Sequence, residues 1–122
     1  MYKYTQAHRL KEADEFSSVF LFRKVRFGAY FKIHYKPNEL PNSRLGLIVS
    51  KKIHKRANKR NYMKRVIREL FRHNSPGFNN HDIIVRVQKC FDAEDFLEVK
   101  AEFHNLTKVL IRIQNRDSKL IY

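Results

Sequence analysis

Apolar residues recur along this chain in two rhythms, and the rhythms mark out its elements. Leu10, Ala13, Phe16 (or Ser17) and Phe20 return every three or four positions, which predicts a short helix over 11–22. Glu12, Asp14 and Glu15 fall in its first turn, where carboxylates suit the positive end of the helix dipole. Residues 29–36, AYFKIHYK, alternate instead. Phe31, Ile33 and Tyr35 go to one face, and Tyr30, Lys32, His34 and Lys36 to the other, which is the period of a strand. PNELPNS, at 37–43, carries two of the three prolines and reads as a turn. RLGLIVS, at 44–50, is a short apolar run with a β-branched end, as in a buried strand.

The helical period returns over 58–73. Met63, Val66, Ile67, Leu70 and Phe71 lie at i, i+3, i+4, i+7 and i+8, a full apolar stripe. HNSPGFNNH, at 73–81, ends that helix with turn chemistry, and DIIVRV, at 82–87, reads as a second buried strand. Asp92 has the character of an N-cap, with Asp95 three positions on forming something close to a capping box. A long helix over about 93–113 follows, striped by Phe96, Val99, Phe103, Leu106, Leu110 and Ile113.

The order is helix, strand, strand, helix, strand, helix. It predicts an α+β fold, a two-layer α/β sandwich of helices on a small mixed sheet. The strands at 44–50 and 82–87 flank a helix as a β-α-β crossover, so they are expected to run parallel. A chain of 122 residues suits a single domain spanning 1–122, with the ends 1–8 and 114–122 loosely ordered. No internal repeat or low-complexity segment interrupts it.

Charge changes the picture. Lys and Arg total 26 against 12 acids, a net +14, and such an excess strains a compact state unless a polyanion neutralises it. Nucleic acid, an anionic membrane or an acidic protein would serve. Ten of the 22 residues from Lys51 to Arg72 are basic, and Glu69 is the only acid among them. Arg60, Lys64 and Arg68 stack at i, i+4 and i+8, while Asn61, Arg65, Arg68 and Arg72 line the adjacent row. Like charges at that spacing repel, whereas an ordinary solvated face mixes in glutamates. Arginine's planar fork suits phosphate. A basic amphipathic membrane binder would need large apolar residues exposed opposite the charge; here the apolar stripe belongs to the core. An RNA-binding helix is the better reading.

A second surface is less sharply drawn. The strand face of Tyr30, Lys32, His34 and Lys36 interleaves aromatic and cationic residues, which suits single-stranded nucleic acid. It also suits an ordinary solvent-facing strand. Phe16 and Phe20 share a helix face and fit either a core or a cleft.

Candidate catalytic chemistry is sparse. The acids cluster in the first and last helices without the spacing of a two-metal nuclease. The six histidines form no HxxE, HxH or HExxH pattern, and three glycines leave no nucleotide-binding loop. No catalytic and no metal-ligating residue is assigned. Cys90, the lone cysteine, reads as a buried strand-end residue and fits a reducing compartment. No apolar run approaches the length of a membrane span and the first residues carry no secretory h-region, so a soluble cytoplasmic protein is expected.

The central segment, RLGLIVSKK followed by RANKRNYMKRVIRELFR, resembles the bacterial ribonuclease P protein subunit. The family pattern is a strand ending in Ser-Lys-Lys, then an Arg-Asn-Arg element running into Lys-Arg, an aliphatic pair, Arg-Glu and an aromatic. Here it reads Arg60, Asn61, Tyr62, then Lys64, Arg65, Val66, Ile67, Arg68, Glu69 and Phe71. DEFSSVF, with Phe16 and Phe20, and the DIIVRV strand also match, so the likeness covers roughly 9–113. Tyr62 departs from it, standing where the commonest form has its second arginine. That removes one phosphate contact, for which Arg56 and Lys59 could compensate, or adds a ring that stacks on a base or sugar.

The resemblance implies a ribosomal-protein-S5-domain-2-like fold with an unusual left-handed β-α-β crossover, against the general right-handed rule. It implies the accessory subunit of an endoribonuclease that hydrolyses the 5′ leader from precursor tRNA. The magnesium ions would be held mainly by the RNA subunit, with no cofactor in the protein. The partners implied are ribonuclease P RNA, in a one-to-one complex with a protein that is monomeric when free, and precursor tRNA. Lys51, Lys52, Arg56, Lys59, Arg60, Asn61, Lys64, Arg65 and Arg68 would meet the catalytic RNA. Phe16, Phe20, Lys32, His34 and Arg86 would line a leader cleft between the first helix and the sheet. The rival class is a structural, ribosomal-type RNA binder without a part in cleavage.

Overall fold

The structure, a computed structural model, describes residues 6–111. Its elements are α1 (Ala13–Phe22), β1 (Val25–Phe27), β2 (Phe31–Pro37), β3 (Arg44–Ile48), α2 (Ala57–Asn74), β4 (His81–Val87) and α3 (Phe96–Thr107). The strands form one sheet in the order β1-β2-β4-β3. β2 pairs antiparallel with β1 and β4, and β3 runs parallel to β4, as the crossover through α2 requires. The short edge strand β1 was not legible in the sequence: VRF is too brief to establish an alternation.

Both α2 and α3 cover one face of the sheet. The stripe Met63, Val66, Ile67, Leu70 and Phe71 packs with Val99, Phe103, Leu106 and Leu110 on Phe31, Ile33, Ile83 and Val85. Phe96, read as part of the α3 stripe, is instead 37% exposed. The helix begins only there, after a separate 3-10 turn at Ala93–Asp95. That turn carries the expected capping box, in which Asp92 and Asp95 satisfy each other's backbone amides. Ile113, the last residue of the expected stripe, lies outside the described residues, as do 1–5 and 114–122. At the other end, Gln6–His8 form a 3-10 turn, within the stretch expected to be loosely ordered.

The opposite face carries α1 alone. Val19 is fully buried there with Leu10 and Ile84, while Phe16 and Phe20 pack half-buried at its flanks. Ala13, placed in the helix stripe by spacing, faces solvent. Two polar devices hold this helix. Its own capping box links Glu12 and Glu15, and the Glu12 and Lys11 amides, with Arg44, keep the Glu15 carboxyl below the usual carboxylate range. Arg44 on β3 then donates through Nε and Nη2 to Asp82 on β4, at 2.8 and 2.7 Å, and through Nη1 to Glu15, at 2.8 Å. Asp82 is buried, so this fork supplies the partner its charge needs.

The β1–β2 hairpin is tied to α3 by two carboxylates, Glu102 above all. Glu102 accepts hydrogen bonds from the amides of Ala29, Tyr30 and Phe31, at 2.8 to 2.9 Å. The chain there is pulled out of strand geometry. Tyr30 therefore does not join Lys32 and His34 on the open face, as alternation had placed it. It is buried, its hydroxyl donates to Glu98 at 2.8 Å, and its ring meets Phe91 edge-on. Gly28 is required beside this clamp, because a Cβ there would lie 2.3 Å from the carboxylate. Cys90, expected to be buried, is exposed in the turn that follows β4. Replacing Glu102 with Ala strips three amides of a charged acceptor and should lower the unfolding free energy by roughly 2–3 kcal/mol. Urea denaturation measures it, and an unshifted midpoint would mean that water replaces the carboxylate without loss.

Candidate nucleic-acid interface

Residues paired across a sheet point to the same side, so the registers lay out the α1 face as three rows. Lys36, Asp82 and Arg44 make the first: Arg44 holds Asp82, the Lys36 ammonium donates to Ser18 of α1, and the row borders a pocket with Asp14 and Glu15. Val25, His34, Ile84 and Gly46 make the second, the row on which α1 rests. Phe27, Lys32, Arg86 and Ile48 make the third, whose Ile48 end still packs against the α1 cluster. Of the four strand residues read as one face, Lys32, His34 and Lys36 share the α1 side and Tyr30 does not.

The five residues expected to line a cleft lie on α1 or on the α1 side of the sheet. Phe20 meets the His34 ring edge-on, centroids 4.8 Å apart. Lys32 and Arg86 are register partners on β2 and β4. Phe16 lies against β3 so closely that a Cβ on Gly46 would be 2.7 Å from its ring. The result is a trough with aromatic walls on α1 and a cationic floor on the sheet. Partial burial, then the positive charges of Lys32 and Arg86, lower the pKa of His34.

The basic helix bears two surfaces rather than one. Lys51, Lys52, Arg56, Lys59, Asn61 and Arg65 are exposed, and Lys64 and Arg68 are half-exposed. Arg68 borders a shallow pocket of about 150 Å³ with Phe16, Leu10 and Gly46, so its row leads into the trough. Arg65 turns the other way and borders a groove against Phe96, Lys100 and His104 of α3. Arg72 pairs with Glu69, the segment's only acid, whose carboxyl it holds below the usual range.

Arg60 has a different task from the other cations. Its Nη1 donates to the carbonyls of His54 and Lys55, at 2.9 and 2.7 Å. It thereby folds the basic loop onto the first turn of α2, whose N-cap residue, Arg56, offers no side-chain cap. Tyr62 is half-buried, and its ring packs against Phe91 at 6.3 Å. It serves the contact between α2 and the turn after β4, so a residue of its kind belongs there for packing reasons. Sequence reasoning missed Arg44, Gly46 and Glu102 as the parts that position this interface. Spacing could not have found them, since their partners are 29 to 73 residues away.

Among the described residues no group of three or more His, Cys, Asp or Glu side chains converges as a metal site, and no helix is long and apolar enough to cross a membrane. Glu15 and Asp82, the nearest approach to a carboxylate pair on this face, are both committed to Arg44. A donor set so engaged does not fit a catalytic metal centre.

Known proteins resemble this chain in sequence and fold. The Ribonuclease P family model matches residues 4–111. The ribonuclease P protein component of Chromobacterium violaceum is 42% identical over 117 residues, 96% of this chain and 97% of that one. Its counterpart in Azoarcus sp. strain BH72 is 52% identical over 85 residues, 70% of this chain and 71% of that one. Among solved structures, the RNase P protein from Thermotoga maritima superposes with a TM-score of 0.75 at 32% identity, covering 85% of this chain and 98% of that one. The Staphylococcus aureus RNase P protein gives 0.74 at 29% identity, covering 85% and 95%.

Two outcomes follow from the geometry. Because the folded state disfavours protonated His34, this residue takes nothing from stability above pH 6.5, where it is neutral folded or unfolded. Its penalty should grow as the pH falls below that and level off below the folded pKa. An NMR titration should place the His34 midpoint under 6.5, and His34→Phe should remove its share of the acid destabilisation. Replacing Arg60 with Gln should speed hydrogen exchange at the amides of Lys59 and Arg60, which bond to the Arg56 carbonyl. Lys64→Gln should leave them protected; equal protection in both variants would remove the clamp from the account.

Proposed function

The chain belongs to the ribonuclease P protein family, and on that premise we propose that it binds the enzyme's catalytic RNA through α2 and the 5′ leader of precursor tRNA through the trough under α1. The trough is the observation that carries this reading. In this reading bases would stack on Phe16, Phe20 and His34, and phosphates would pass Lys32 and Arg86, a use supported by the aromatic pair on α1 and β2 and the paired cations beside it. A double helix presents phosphates to a convex surface, but a single strand can lay its bases into a narrow aromatic trough. The exposed cations Lys51, Lys52, Arg56, Lys59, Lys64, Arg65 and Arg68, with Asn61, then meet the RNA subunit, and Arg60 holds the loop that presents them.

In this reading the protein supplies binding and orientation, and the hydrolysis of the leader phosphodiester belongs to the RNA. Magnesium, held mainly by the RNA, supplies the activation of water and the charge stabilisation of the leaving oxygen. The chain's cations lower the repulsion between two polyanions, so the requirement for added magnesium should fall when the protein binds. The complex is taken as one protein to one RNA, in the cytoplasm. A purely structural, ribosomal-type role would explain the basic helix but leaves the trough without a ligand.

Reconstitution tests the proposal. The protein alone should leave precursor tRNA intact, and added to ribonuclease P RNA at low magnesium it should restore cleavage at the mature 5′ end. Joint replacement of Phe16 and His34 with Ala should weaken precursor binding while sparing mature tRNA; equal loss for both ligands would remove the leader from the trough. Contacts to about six phosphates predict a log–log salt slope of roughly −4 to −5 for RNA binding. Losing Lys64 should make that slope shallower by about one.

A further inference from the structure

The third row of the sheet ends in a residue that the fold does not need. Phe27 is 62% exposed on the short edge strand β1, among the most exposed large apolar side chains described, and it belongs to neither hydrophobic cluster. Register with Lys32 puts it on the trough side of the sheet. The Lys32 ammonium stands 5.1 Å from its ring centroid, so one side of the ring is occupied by a cation and the rest is open. An edge strand usually carries charged or small residues on its open side, because an exposed aromatic invites association. Here the aromatic instead continues a row: Phe27, Lys32, Arg86 and Ile48 cross all four strands.

The row has a direction. Its β3 end runs through Ile48 toward Lys51 and Lys52, where the RNA subunit is proposed to sit. Its β1 end points away from that partner. Adjacent strands lie about 4.8 Å apart, so Phe27 stands roughly 10 Å beyond Arg86 and outside the part covered by α1. A strand threaded over Arg86 and Lys32 meets Phe27 next, with a phosphate beside Lys32 and an aromatic face one step farther out.

We propose that Phe27 is an additional stacking platform for single-stranded RNA, extending the leader track past the trough to the β1 edge of the sheet. The inference rests on the leader reading of the trough and deepens it. It adds a binding position that only longer leaders reach. Stacking tolerates any base, so the position should sense leader length more than sequence.

The test uses the reconstituted holoenzyme and a series of precursor tRNAs with leaders lengthened one nucleotide at a time, with mature tRNA as the baseline. Affinity of the wild type should rise with length until the leader spans the row. Phe27→Ala should lose the last increment, about tenfold, and match the wild type on the shorter leaders. Phe27→Leu, which keeps apolar volume without a π-face, should behave like the Ala variant, and Phe27→Tyr like the wild type. Urea midpoints of all three should stay close to the parent, given the exposure of the ring. If the wild type gains with length and Phe27→Ala gains equally, the stacking platform is wrong while the trough stands. If the Ala variant loses affinity uniformly, mature tRNA included, the ring acts on the fold and the proposal fails. A wild type indifferent to leader length overturns the trough reading and this proposal together.

Discussion

The structure turns on how closely α1 is allowed to approach the sheet. One guanidinium sets this. Arg44 reaches from β3 to Asp82 on the neighbouring strand and to Glu15 on the helix, so the first row of the face is locked by charge-assisted bonds. One row along, Gly46 has no side chain, and the Phe16 ring occupies the space that a Cβ would take. With one end fixed and the middle in contact, the helix covers two rows and the Ile48 end of the third, and leaves Phe27 exposed at the other end. A bulkier residue at 46 would lift α1, and loss of Arg44 would leave a buried carboxylate without its partner. Either change would alter the width of the trough without touching a residue that lines it.

The distribution of charge follows a similar economy. An excess of +14 is tolerated because the cations are kept at the rim and on the solvent side of α2, away from both cores. Where acids are few, several have a structural assignment. Glu102 gathers three hairpin amides, Glu15 and Asp82 hold Arg44, and Glu69 holds Arg72. What remains uncompensated is the exposed basic loop and helix together with Lys32 and Arg86, and these are the surfaces that a polyanion would neutralise. Arg60 differs from its neighbours here, since its charge is spent on two backbone carbonyls and its contribution is to the shape of the loop.

The two surfaces are joined rather than merely adjacent. Arg68 borders a pocket that also touches Phe16, and the third row of the sheet leads through Ile48 to the loop that begins α2. In a ribonucleoprotein of this family such continuity has a physical use. If the proposed binding holds, a protein that grips the RNA subunit at one end of a track and a single strand along it would fix the junction between them, where the scissile bond would lie.

Much of this could be read from the chain before folding was considered. The apolar stripe of α2 from Met63 to Phe71 is buried as its spacing required, since helical periodicity and a segregated charge face are local properties. The capping box at Asp92 and the parallel pairing of the crossover strands were legible for the same reason. Tertiary structure alone decided the rest. Alternation sent Tyr30 to the open face, but Glu102, 72 positions away, withdraws it from the strand and buries it. Spacing placed Phe96 in the core and Cys90 at a buried strand end, and the independent turns before α3 leave both at the surface. Tyr62 looked like a missing phosphate contact until Phe91 was found beneath it. The sequence by itself determined the helices, their polarity and the presence of a polyanion-binding face, because those depend on neighbours within a turn or two. Which side chains the face finally presents depended on contacts across the whole chain, and only the packed structure could bring those partners together.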